Sequence, residues 1–128
     1  MIDKRLLKIA SNTKFYGLKN NYTYKTNLKN SICGDKISIE ISLKKNTIQE
    51  LRYETEACIF CQASASTLAN IAKNTNLGDL RKNLSKYLNF SKKVPKKFNN
   101  LTYLLKDKYM NRKDCILLPF KAFYKAIK

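Results

Sequence analysis

The chain has 128 residues, with 26 Lys+Arg against 9 Asp+Glu, no His and no Trp. That length suits one hydrophobic core, and 44% apolar residues argue against a disordered chain despite a formal charge of +17. No apolar run approaches the roughly 18–20 residues of a membrane span, and the lack of His excludes an imidazole base or ligand, leaving chemistry to Cys, Asp, Glu, Lys, Tyr and Ser.

Met1 to Gly17 is broken up by Asp3, Lys4, Arg5, Lys8 and Lys14, so it lacks the continuous apolar stretch of a secretory signal. Leu6, Leu7, Ile9 and Ala10 instead predict a short amphipathic helix. Asn21 to Asn27 is β-prone, with Tyr22, Tyr24 and Thr26 on one face. Lys36 to Leu43 alternates cleanly, with Ile37, Ile39, Ile41 and Leu43 to one side and Ser38, Glu40 and Ser42 to the other. Lys44 to Thr47 reads as a loop of about four residues. Ile48 to Glu56 then returns as the second arm of an antiparallel hairpin. Gln62 to Lys73 is a helix of small residues, suited to close packing on a sheet. Asn76 caps a further helix, in which Leu77, Leu80, Leu84, Tyr87 and Leu88 recur at helical spacing. Asn89 to Asn100 reads as a connection, and Leu101 to Leu105 as a short helix. In the last segment Pro119 marks the expected start of the main helix, because its missing N–H is harmless in a first turn. Strands followed by helices predict an α+β domain: a three-stranded antiparallel sheet covered on one face, with a helical C-terminal half. Residues 1–128 read as one such domain, without internal repeats.

The charge supports three readings. A sequence pI near 9.9 fits nucleic-acid binding, and Tyr22-Thr-Tyr-Lys25 interleaves rings with a cation as a single-strand grip would. The excess is nearly all Lys, however, and the four Arg (Arg5, Arg52, Arg81 and Arg112) are scattered. A Lys- and Asn-rich bias of AT-rich coding, filling solvent-facing positions, makes nucleic acid the weaker choice. An acidic protein partner stands between the two.

Four Cys without a signal segment point to a reducing compartment, the cytoplasm. Cys33 precedes the alternating strand and Cys58 follows its hairpin partner, so antiparallel geometry brings both to one end of the sheet. Cys115 opens the last segment. Thiolates from Cys33, Cys58 and Cys115 with the carboxylate of Asp35 suit Zn²⁺ or an iron–sulfur centre, and Gly34 lets the backbone turn between the first two. The same cysteines equally suit plain buried packing. Cys61 completes a CxxC pair with Cys58 and is either a spare ligand or a core residue.

Asn30-Ser-Ile-Cys-Gly-Asp35, Ala57-Cys-Ile-Phe-Cys-Gln-Ala-Ser-Ala-Ser66 and Cys115-Ile-Leu-Leu-Pro-Phe120 together resemble the IscU/SufU/NifU-type iron–sulfur cluster assembly scaffolds, the NifU-like N-terminal domains. The likeness runs from about Leu6 to Ile127. It implies a SufE/IscU-like fold and a scaffold or sulfur-relay protein rather than a turnover enzyme. It further implies a cysteine desulfurase as sulfur donor, a transient [2Fe–2S] cluster or Zn²⁺ on Cys33, Asp35, Cys58 and Cys115, and apo iron–sulfur proteins of the SUF or ISC machinery as acceptors. Cys115 is the implied persulfide acceptor. Ser31 and Ala57 replace the Pro and Gly usual in the family, and Asp114 replaces the usual His or Lys before the late Cys. Asp114 is thus a possible accessory oxygen ligand, or a charge opposing the neighbouring thiolate, which Arg112 and Lys113 would offset. A membrane has no place in this scheme.

Overall fold

The computed structural model describes residues 3–30, 34–88, 98–104 and 107–127. Elements run α1 (Lys4–Ala10), β1 (Tyr24–Lys29), β2 (Lys36–Lys44), β3 (Thr47–Glu56), α2 (Ile59–Ala72), α3 (Leu77–Leu88), α4 (Asn99–Leu104), a 3₁₀ segment (Asp107–Arg112) and α5 (Lys113–Ile127). The strands form one antiparallel sheet in the order β1-β2-β3, the α+β architecture expected. Cys33, Ser31 and the 89–97 stretch lie outside the described residues.

Alternation in β2 drives Ile37, Ile39 and Ile41 into the core, where Leu51 and Tyr53 of β3 join them. The hairpin is tighter than the sequence suggests. Lys44 pairs with Thr47, leaving only Lys45 and Asn46 in the turn, with φ of 51° and 67°. Two successive positive φ values make a type I′ turn, whose twist matches that of the strands. A bulge at Ser42/Leu43 restores the pairing of Leu43 with Ile48.

The second face of β2 also departs from simple alternation. Glu40 is only 2% exposed, because the 16–20 loop folds over it. Its Oε1 accepts the backbone N–H groups of Lys19 and Asn20 at 2.9 and 3.1 Å. Its Oε2 has no hydrogen bond but lies 3.8 Å from the Lys25 ammonium. Arg52 holds the same loop by donating to the carbonyls of Gly17 and Tyr16 at 2.6 and 2.8 Å.

α2 is the central helix. Ala63, Ser64, Ala65, Ser66, Thr67, Leu68, Ala69, Ile71 and Ala72 are all buried, since α1, α4, α5 and β3 surround it. Only small side chains let so many neighbours approach one helix, which explains the Ala-Ser-Ala-Ser run. At its end, Asn76 Oδ1 accepts the Asp79 N–H at 3.1 Å, the expected cap of α3.

α5 begins at Lys113, six residues before the expected start, and carries Pro119 in its interior. Proline there supplies no N–H to the carbonyl four residues earlier. The helix continues because Ile116, Leu118, Phe120, Ala122 and Phe123 are buried against the rest of the core, a tertiary gain that outweighs one missing bond.

Candidate metal and cluster centre

Three elements deliver the site. The Asn30–Asp35 turn is closed by Gly34 N–H to Asn30 O and Asn30 N–H to Asp35 O, both 2.8 Å. Gly34 has φ +79°, a left-handed value that any side chain would strain. Pairing of Lys36 with Glu56 then sets the end of β3, and Cys58 two residues beyond it, next to Asp35. Cys58 is the N-cap of α2, and its thiol makes no capping hydrogen bond. Cys115 is the third residue of α5. The positive ends of two helices therefore meet at one place, a favourable setting for anionic ligands.

One ligand atom each from Asp35, Cys58 and Cys115 lies within 4.8 Å of the others. Asp35 is 8% exposed and Cys115 6%, with Cys58 half-buried. Among the described residues Asp35 Oδ2 is buried without a hydrogen-bond partner. Two soft sulfurs and one hard oxygen converging on a single point fit Zn²⁺ or an iron centre. The unsatisfied carboxylate oxygen fits a cation in the same place.

Cys33 lies outside the described residues, and two other expected residues fall elsewhere. Cys61 is fully buried in the core one turn into α2 and stands outside this ligand set. Asp114 is exposed in the first turn of α5, also outside the set, where its charge complements the helix N-terminus. Lys25 Nζ lies 5.5 Å from the Tyr22 ring centroid as well as beside Glu40, so that pair serves the fold.

Two supports went unread in the sequence. Ser64 of α2, 0% exposed, donates to the Ile116 carbonyl at 2.6 Å, tying the helix of Cys58 to the helix of Cys115. Tyr109, just before α5, packs edge-on against Phe60 at 5.1 Å and donates its hydroxyl to Asp3 at 2.7 Å. The Ser positions within the Ala-Ser-Ala-Ser run were the available signal for the first, since a hydroxyl inside a buried helix needs a partner. Nothing local signalled the second.

The NifU-like N-terminal domain model matches residues 3–116. The chain belongs to that family. This NifU-like chain is 26% identical to the iron–sulfur cluster assembly scaffold protein IscU of Thermotoga maritima, over 100% of its own length and 93% of that protein. It is 29% identical to an uncharacterized protein of Borreliella burgdorferi, covering 93% of this chain and 84% of the other. Its fold matches the crystal structure of a nitrogen-fixing NifU-like protein (N-terminal) from Brucella abortus with a TM-score of 0.81, at 22% identity, covering 98% and 90% of the two chains. A putative SUF-system scaffold, FiSufU from Fervidobacterium islandicum AW-1, also matches with a TM-score of 0.81, at 21% identity, covering 99% and 96%. The NifU-like fold thus agrees with the family read from its motifs. Among the described residues no helix is long and apolar enough to cross a membrane.

Proposed function

We propose that this NifU-like domain, spanning residues 1–128, is an iron–sulfur cluster assembly scaffold or sulfur acceptor. The convergence of Asp35, Cys58 and Cys115 ligand atoms within 4.8 Å, from three distant parts of the chain, carries the reading. Family membership supports it, and Cys33, two residues before Asp35, is the proposed fourth ligand. A [2Fe–2S] cluster is the cargo, assembled here and passed to apo acceptor proteins.

Sulfur arrives as a persulfide on a cysteine desulfurase. The Cys115 thiolate attacks the terminal sulfur, the donor S–S bond breaks, a Cys115–S–SH forms, and the desulfurase cysteine leaves as thiolate. Cys58 and Cys33 supply thiolates to iron, and Asp35 supplies an exchangeable oxygen, which suits a cluster that must leave. Zn²⁺ on the same residues would supply positive charge that holds the thiols deprotonated. Asp114, exposed and screened by water, opposes the Cys115 thiolate only weakly.

The test is anaerobic reconstitution of the full chain with ferrous iron, cysteine and a desulfurase, followed by cluster absorbance and by iron and sulfide analysis. Wild type is expected to gain a cluster, and Cys33→Ser, Cys58→Ser and Cys115→Ser to lose it. Cys61→Ser is expected to retain it. A wild-type protein that takes up neither cluster nor zinc overturns the proposal.

A further inference from the structure

A concavity lies along the C-terminal half of α2, away from the thiol site. Arg5 and Lys8 of α1, Ser66 and Asn70 of α2, Lys73 beyond it and Asn100 at α4 frame a groove of about 930 Å³. None of its lining residues belongs to the thiol site. Along α2 the groove starts eight residues past Cys58 and ends fifteen past it, about 12 to 22 Å away at 1.5 Å per residue.

The lining mixes the apolar Ile9 and Ile71 with polar side chains, and its charges are of one sign. Its titratable residues are Arg5, Lys8 and Lys73, and it contains no carboxylate. Asp3, the acid nearest in sequence, is occupied by the hydroxyls of Tyr103 and Tyr109 and by the Leu6 N–H. Lys8 and Lys73 are exposed and have no ion pair among the described residues. Arg5 is held in place, its guanidinium 4.1 Å from the Tyr103 ring centroid and donating to Asn100 Oδ1 at 3.3 Å. None of the chain's nine Asp and Glu side chains falls within α1 or α2, Asp3 standing only at the N-cap of α1.

We infer that this groove docks an acidic, extended peptide segment of a partner protein. Arg5 and Lys8 stand one helical turn apart on one wall, and Lys73 stands at the far end of α2, a spacing that suits carboxylates strung along a chain. The side-chain amides of Asn12, Asn70 and Asn100 in the lining each have one atom engaged, by the Lys14 N–H, the Ser66 carbonyl and Arg5 respectively, and keep further donor and acceptor capacity for a peptide backbone. Compact phosphate sites instead use converging backbone N–H groups at a helix N-terminus, whereas this groove lies along the C-terminal half of α2. Single-strand binders use exposed rings, and no aromatic residue lines this groove.

The test is fluorescence anisotropy of a fluorescein-labelled peptide of alternating Glu and Ser, titrated with the full chain at physiological salt. Saturable binding is expected. The double variant Lys8→Glu/Lys73→Glu should weaken it by about tenfold or more, while Lys82→Glu/Lys86→Glu, an equal charge change at exposed positions of α3, should cost less than about twofold. Circular dichroism confirms that both variants fold. Equal losses in the two variants, or no saturable binding by wild type, overturn the inference. So does tighter, Lys8- and Lys73-dependent binding of an oligo-thymidylate strand or of tripolyphosphate, which would make the groove a phosphate site.

Discussion

A buried carboxylate with one oxygen lacking a hydrogen bond carries a desolvation cost of about 1–3 kcal/mol in the metal-free protein. Asp35 is that carboxylate, and a bound cation would reverse the sign of its contribution. Asp35→Ala is therefore expected to raise metal-free stability by about 1 kcal/mol in urea with chelator present. The same substitution should remove most of the stabilisation that zinc confers on wild type. A less stable apo variant would make the carboxylate a structural acceptor instead. Tyr53 offers a separate test. Burial pushes its phenol above the ordinary 10.0, with the Ser66 hydrogen bond pulling back and Tyr16 adding slightly. The folded state thus prefers the neutral ring. Below about pH 10 the phenol is neutral whether folded or unfolded, and its contribution is complete. Above that pH the unfolded chain loses its proton first, so stability falls until the folded-state value is passed. Urea midpoints taken through this alkaline window should fall more steeply for wild type than for Tyr53→Phe; parallel curves would mean that the phenol titrates alike in both states.

Between elements, the contact that matters most for the site joins α2 to α5. Ser64→Ala leaves the Ile116 carbonyl without its hydroxyl partner in the turn that Pro119 interrupts. A loss of about 1–2 kcal/mol in denaturant stability is expected, together with several-fold weaker zinc binding, because the helices of Cys58 and Cys115 lose a shared anchor. Unchanged zinc affinity would separate the anchor from the site. The sequence carried much of this level. Period-two alternation at Ile37, Ile39 and Ile41 identified the hairpin, and the motifs around Asp35, Cys58 and Cys115 picked out three residues whose side-chain ligand atoms converge. Alternation assigns a face but not what covers that face, so burial of Glu40 under the 16–20 loop was invisible. Pro119 is a start signal in local chemistry, yet packing of Phe120 and Phe123 carries α5 through it. The approach of Cys115 to Asp35 depends on how α5 docks, which no local period encodes.

Across the whole molecule, 26 cations face 9 carboxylates, so each cation has more like-charged than opposite neighbours to feel. The ion pairs do not offset this. Lys36–Glu56 at 3.8 Å is exposed on both sides, and Lys19–Glu50 at 3.3 Å is exposed at the lysine, and such pairs are worth little in water. Lys25–Glu40 is better shielded, but its carboxylate is already held by two backbone N–H groups. Added salt screens repulsion and attraction alike over a Debye length of about 8 Å at 0.15 M, so the sign of the response reports which dominates. Stability measured in urea, an uncharged denaturant, should rise from low to physiological ionic strength as the +17 self-repulsion is screened. The rise should be smaller for a variant carrying Lys82→Glu and Lys86→Glu, which lowers the net charge by four. A fall with added salt would mean that the shielded pairs on the sheet, Lys25–Glu40 and Arg52–Glu50 (3.7 Å), outweigh the field of all the remaining lysines.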